Sequence, residues 1–542
     1  MTEILFKLIV LKYIDSKRNI YYLGYDLNLM IELPKSFYNF NEKYKILNLF
    51  NNIQIKELKP LRLEEDIKYI KDSPISIVAE VLDLYDKNQI EMKNIDLDAP
   101  ITKTAEECEK IINKYFNVEN QNYYQKMNFI KILSIQFKKF TENLYLNCEF
   151  NPEGEIFLIK IRKSIIYNFI ELTKVFTRSP YDSLLLRQNQ SRLIFGKINE
   201  NQAKEDELMK LADESNKQEI FSFEKVKPSL VFFNRDGSSL SIISNNDKNE
   251  KYYKDLRLLW NLSNPKLNEI SFEELIEVVN YRKTDILNDL IDYKSLNHEK
   301  FLEQIKNIFC LDKLSINDLK DICTKLGNYI FVSDNFIKMV AILLNIEAKI
   351  PVILMGETGV GKTKLLEMLA TLYGKGEPNW HKLQIHAGTT DQIIVEFIEK
   401  IEKKYQSQEN LEEPVWIFFD EINTCNSLGL ITEIMCNHTY LGKKINKNFV
   451  FLGACIPYRI ITKQMKVGGL VYYNTKEKNK LNNLVYTVNP LPHSLLNFIF
   501  DFGSLQPEDE KKYITNTIID ILTRLKEKEV IKDFDKIKKE DI

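Results

Sequence analysis

PVILMGETGVGKT, Pro351 to Thr363, decides the fold of this chain. Pro351 to Met355 reads as a buried strand. It runs directly into Gly356, Glu357, Thr358, Gly359, Val360, Gly361, Lys362 and Thr363, which follow the G-x-x-x-x-G-K-[ST] spacing of a phosphate loop. Glycines let such a backbone turn successive N–H groups inward, so that an anion rests at the N-terminus of the following helix. In that reading Lys362 reaches the β and γ phosphates, the Thr363 hydroxyl ligates Mg²⁺, and Lys364 joins the residues around the nucleotide. Leu365, Leu366, Leu369, Leu372 and Tyr373 then recur at helical spacing. A chance Gly-rich turn fits poorly, since the chain has only 17 glycines in 542 residues.

A second acidic motif indicates what happens to the nucleotide. Val415 to Phe419 is an apolar strand that ends in Asp420 and Glu421. In a phosphate-loop sheet this strand sets Asp420 near the metal and Glu421 where it polarises an attacking water; the bland alternative is two solvated carboxylates. A third strand, Phe449 to Cys455, brings Ile456, Pro457, Tyr458 and Arg459 to the same sheet edge, and Leu383 to Thr390 supplies another strand and turn. His386 in that turn is either a contact to nucleotide or to a neighbouring subunit, or a structural histidine, the bland reading being preferred. Tyr440 and Lys443 to Lys447 read as a solvated turn or pore-type loop.

Composition narrows the class. Hydrophobic residues make up 44% and charged residues 28%, with 75 basic and 77 acidic side chains. This is a globular balance without the basic excess that nucleic acid requires. Seven scattered cysteines form no C-x-x-C pair, which points to a reducing, cytoplasmic setting. No apolar run reaches the length of a membrane span, and Ile4 to Tyr13, interrupted by lysines, reads as part of the fold and not as a signal peptide.

The expected fold class is α/β: a parallel sheet flanked by helices in the C-terminal part, preceded by a mostly helical α+β region. Four segments are expected: an α+β region at 1–160, a helical linker with a β-hairpin at 161–326, an ATPase core at 327–505 and a partial helical lid at 506–542. Strands are expected near Ile20 to Leu23. A helix capped by Thr104 and Glu107, a helix over Tyr123 to Phe140, and a strand pair over Tyr145 to Ile161 split at Asn151 to Gly154 follow. Lys163 to Phe176 reads as helix, Leu230 to Ile243 as a hairpin, Ser271 to Leu326 as helical with breaks near Asn297 and Leu314, and Ser333 as a helix cap. Beyond the core, helices are expected at Ser494 to Phe500 and from about Pro507 to Lys526.

The segments HAGTT (His386 to Thr390), FFDEINTCNSLGLITEIMC (Phe418 to Cys436), GACIPYR (Gly453 to Arg459) and LVYTVNPLPHSLLNFIFDFGSL (Leu484 to Leu505) resemble an AAA+ unit of the mysterin-type giant ubiquitin ligases, the ring finger protein 213 family. The resemblance is strongest from Tyr329 to about Leu522 and continues more weakly upstream. It implies an ATP-binding unit, working beside neighbouring AAA+ units of a much longer chain, whose hydrolysis moves or gates a ubiquitin ligase. Its ubiquitin machinery is implied by resemblance only, since nothing here resembles the RING or zinc-dependent transfer parts. Residue by residue, it makes Gly356, Gly359, Gly361, Lys362 and Thr363 the phosphate loop, and Asp420 and Glu421 the metal and water-activating pair. One position departs: Ile456 stands where the family usually has a water-positioning Asn, the sensor-1 residue, and isoleucine makes no such hydrogen bond. Two readings therefore stand, an ATPase and a nucleotide-holding structural module with impaired hydrolysis. A nucleic-acid motor is a distant third. Arg524 is a weak candidate for a lid arginine.

Overall fold

In a computed structural model of the chain, the described residues are 7, 13–16, 19–22, 73–90, 103–116, 123–143, 152–177, 229–244 without 238, 254–257, 290–376 without 328, 380–405, 414–457, 488–503, and 510, 511, 513–515, 517, 518 and 522. Two compact units divide the chain, Met1–Glu64 and Glu65–Ile542. In the first, β1 (Tyr13–Ser16) and β2 (Asn19–Tyr22) pair as an antiparallel hairpin, Tyr13 opposite Tyr22.

The second unit begins with four helices: α1 (Pro74–Asp86), α2 (Ala105–Tyr115), α3 (Tyr123–Glu142) and α4 (Pro152–Thr177). Their starts follow local chemistry. The Ser73 hydroxyl accepts from Ser76 N–H ahead of Pro74, and Thr104 and Glu107 form a reciprocal capping box. The expected strand pair over Tyr145 to Ile161 is corrected from Pro152 onward: Pro152 opens a 26-residue helix and does not turn a hairpin. A proline at the first helical position gives up an N–H that has no intrahelical partner anyway. The expected boundary at 160/161 also falls inside this helix. β3 (Leu230–Phe233) and β4 (Leu240–Ile243) form the expected hairpin, and Val231 and Phe233 join Phe137, Ile166 and Phe169 in one apolar core with α1–α4.

After α5 (His298–Ile308) and α6 (Ile316–Lys325), whose caps Asn297 and Ser315 lie at the expected breaks, comes α7 (Ser333–Glu347). The cap expected of Ser333 is corrected: Ser333 lies inside α7, and the Asn335 side chain takes the Val332 N–H instead. The chain then builds a five-stranded sheet from β5 (Val352–Met355), β6 (Trp380–Gln384), β7 (Val415–Asp420), β10 (Phe449–Cys455) and β11 (Ile499–Asp501). Its order is β11-β5-β10-β7-β6, and every pairing is parallel. Interleaved are α8 (Lys362–Tyr373), α9 (Asp391–Tyr405), α10 (Leu428–Thr432) followed by a π-turn at Glu433–Asn437, a small hairpin of β8 (Thr439–Tyr440) and β9 (Lys443–Lys444), and the short α11 (His493–Leu496).

Strand alternation splits the core into two layers. Val352, Leu354, Trp416, Phe418, Val450 and Leu452 face α7 and α8, whereas Ile353, Ile417, Phe419 and Phe451 pack with residues of α9 and α10. Because both faces are covered, β5, β7 and β10 are buried at every position, which is why they read as unbroken apolar runs. The helix expected over Ser494 to Phe500 is corrected: it ends at Leu496, and Ile499 to Asp501 form β11 beside β5. Tyr440 is also not solvated. It is buried, and its hydroxyl donates to Glu402. Among the described residues no helix is long and apolar enough to cross a membrane.

The upstream module is tied to the sheet layer by polar contacts. Arg235, in the β3–β4 turn, donates through Nη1 to the Tyr373 carbonyl at the end of α8 (2.6 Å) and lies 3.8 Å from the Tyr373 ring centre. Lys139 of α3 pairs with Glu347 of α7 (3.0 Å).

Candidate functional site

Strand order selects the site. The chain leaves β5, crosses to the far edge at β6, returns through β7 and β10, and ends on the other side of β5 at β11. Successive connections thus diverge at the carboxyl end of β5, the crevice where ligands bind in open parallel sheets. The loop 356–361 fills that position and passes into α8.

Two loop glycines have identifiable reasons. Gly361 caps α8 at φ 92, a left-handed conformation that side chains disfavour. A Cβ on Gly356 would meet Phe502 Cβ at 3.2 Å and Val360 Cγ2 at 3.3 Å. Lys362, first in α8, is buried and folds back over the loop, its Nζ donating to the Gly356 carbonyl (2.5 Å) and the Glu357 carbonyl (2.6 Å). Burial pushes this ammonium below the ordinary lysine value, while Cys455, Asp420, Glu357 and Glu421 pull the other way. Thr358 and Gly359 are exposed, Glu357 and Val360 half-buried, and Lys364 is exposed with its ammonium 2.9 Å from Glu367.

The end of β7 faces this loop. The Thr363 hydroxyl donates to Asp420 Oδ2 (3.2 Å), and the same carboxylate oxygen lies 2.8 Å from the Lys382 ammonium. Asp420 is nearly buried. Two hard oxygens thus stand side by side at a helix N-terminus. No group of three or more His, Cys, Asp or Glu able to hold a metal occurs among the described residues. That donor set suits Mg²⁺, which binds through one or two protein oxygens and takes the rest from phosphate and water. Glu421 follows in a left-handed conformation, φ 58, sparsely populated by non-glycine residues. Its carbonyl accepts from the Thr424 N–H (3.0 Å), and the Thr424 hydroxyl lies 2.8 Å from that same carbonyl and 3.2 Å from Ile385 O.

The strand ends are cross-braced by a residue that sequence reasoning missed. Asn423, 1% exposed, donates through Nδ2 to Ile456 O (2.7 Å) and accepts from Ile456 N–H at Oδ1 (3.1 Å). Its own carbonyl accepts from the Asn489 N–H (2.7 Å). Asn423→Ala strands two buried backbone groups, so it is expected to cost about 2–4 kcal/mol. Asn423→Asp keeps the acceptor but sets a buried carboxylate against the Ile456 carbonyl, so near neutral pH it should cost at least as much; denaturant midpoints check both. In the sequence it has no distinct signal, since Asn423 stands beside other small polar residues, Thr424, Asn426 and Ser427.

His386 is exposed, and its Nδ1 accepts from Gly388 N–H (3.1 Å), closing its own turn. Ile456 follows β10 directly, with a buried side chain. Tyr458, Arg459 and Arg524 lie outside the described residues.

Comparison with known proteins bears on the same region. Residues 329–459 match the family model described as the RNF213 AAA domain. The chain is similar to E3 ubiquitin-protein ligase rnf213-beta of Danio rerio, 26% identical over 425 residues, covering 74% of this chain and 8% of that protein. It is similar to E3 ubiquitin-protein ligase RNF213 of Mus musculus, 25% identical over 569 residues, covering 95% and 10%, and to that of Homo sapiens, 24% identical over 458 residues, covering 79% and 8%. The chain spans a tenth or less of the length of these curated relatives.

Proposed function

Because the chain carries an RNF213-type AAA+ region, we propose that this region binds ATP with Mg²⁺ and hydrolyses it, as one AAA+ unit of a mysterin-like E3 ubiquitin ligase working against neighbouring units. The observation that carries the reading is the meeting of Thr363 and Asp420 at the mouth of the glycine loop, with Lys362 beneath it and Glu421 next in the chain. Backbone N–H groups of the loop and the start of α8 hold the phosphates, and Lys362 exchanges its two loop carbonyls for phosphate oxygens. Thr363 and Asp420 would hold Mg²⁺, which supplies charge neutralisation of the β and γ phosphates. Glu421 accepts the proton of the attacking water.

Calorimetric titration of the purified chain with ATP and Mg²⁺ tests the reading. One site per chain is expected, and ATP at a hundredfold over its Kd should stabilise the fold by about 2.7 kcal/mol. Absence of both heat and a melting shift at millimolar ATP overturns it.

Ile456 supports a second reading, a nucleotide-holding module with little turnover. The Ile456 backbone is already fixed by Asn423, so an asparagine side chain there would start from a held position. Ile456→Asn is expected to raise turnover about 10- to 100-fold, the scale of one positioning contact. No gain in steady-state phosphate release removes the second reading.

A further inference from the structure

We propose that Lys382 is a built-in counter-cation for Asp420, which a divalent metal must displace and which thereby makes metal binding depend on nucleotide; this rests on the nucleotide reading above. The ammonium lies 2.8 Å from Asp420 Oδ2, the oxygen that also takes the Thr363 hydroxyl. The path of the side chain is built. On the edge strand β6, Lys382 stands opposite Phe418 of β7. Two residues earlier on the same face, Trp380 stacks on Phe418 at 5.5 Å and 15°. The Lys382 ammonium is 5.7 Å from that ring's centre, so its stem follows the aromatic surface toward the sheet's carboxyl end. A lysine on an edge strand ordinarily keeps its charge in water and blunts the edge against pairing. Here the residue is exposed along the edge, yet its ammonium reaches a carboxylate that is 9% exposed.

A metal at the same carboxylate meets the like charge of the ammonium at close range, so lysine and metal compete. Metal facing Thr363 and Asp420 alone must pay for ejecting the ammonium. When nucleotide phosphates add their negative charge, metal entry is favoured and the lysine is released. The device keeps the empty site neutral and admits metal with its nucleotide.

The test uses the full chain with Lys382→Met, which keeps the stem without the charge, Lys382→Gln as a second neutral variant, and Lys382→Arg, which keeps the charge. Two titrations are read: the Mg²⁺ midpoint for ATP binding by calorimetry, and Mn²⁺ binding without nucleotide by electron paramagnetic resonance. In the neutral variants the Mg²⁺ midpoint should fall about two- to fivefold, the scale of one partly exposed ion pair. Mn²⁺ alone should bind more tightly by a similar factor, ATP affinity in EDTA should stay within twofold, and Lys382→Arg should resemble the wild type. An unchanged or higher metal requirement in the neutral variants overturns the proposal. If the wild type binds no ATP, the nucleotide reading falls, and the Mn²⁺ titration still decides the lysine's role: tighter Mn²⁺ in the neutral variants sustains competition, and equal affinity ends it.

Discussion

Lys362→Ala is expected to weaken ATP binding by roughly 30- to 1000-fold, corresponding to about 2–4 kcal/mol for one partner of a desolvated charge pair. The size follows from where the ammonium sits. It is buried, first in α8, and bonded to two carbonyls of the loop it would serve. Those carbonyls are placeholders, weaker acceptors than phosphate oxygens, and exchanging them for an anion gains charge-assisted hydrogen bonds that alanine cannot make. The Gly361 turn and the helix N-terminus remain in the variant, so weak residual phosphate affinity should persist. Calorimetry against the wild type, with melting in the absence of ATP as the control for folding, measures the loss. Affinity within threefold of wild type would mean that the loop does not cradle phosphate.

The parts of this fold legible in the sequence are those whose residues are buried on both sides. β5, β7 and β10 are apolar at nearly every position because helices cover both sheet faces, and the loop between β5 and α8 carries its own spacing. From sequence alone β11 reads as the end of a helix. Three residues, Ile499 to Asp501, are too few to show a period, and their state is set by pairing with Ile353 to Met355, about 145 residues away. Pro152 misled in the opposite direction, since a proline at a helix start and a proline in a turn look alike without the downstream packing. In the candidate site, Lys362, Thr363 and Asp420 stand together as their spacing suggested. Asn423 and Lys382 did not announce themselves. One braces a strand 33 residues downstream and the other reaches across from a neighbouring strand, relations that exist only once the sheet has formed.

Glu421→Gln is expected to lower the turnover number by about 10²- to 10⁴-fold while leaving ATP affinity within about threefold. Glutamine keeps the shape and cannot accept a proton, so the loss isolates base chemistry from binding. The geometry favours this role for Glu421 over its neighbour. Asp420 is nearly buried, in register within the sheet and committed to Thr363 and Lys382. Glu421, one residue beyond the strand, is half-exposed. Among the described residues its carboxylate takes no hydrogen bond or ion pair, and it acts on Lys362 only through its charge. Its left-handed backbone costs roughly 1–2 kcal/mol, yet Thr424 holds it there with a hydrogen bond to the Glu421 carbonyl. Strain kept at a residue whose side chain is left uncommitted is what a poised base requires. Single-turnover phosphate release beside equilibrium ATP binding separates the outcomes. Loss of release with binding retained makes Glu421 the base of a working ATPase despite Ile456. Equal, near-zero release in wild type and variant, with tight binding in both, would instead establish a site that holds nucleotide to keep its unit folded.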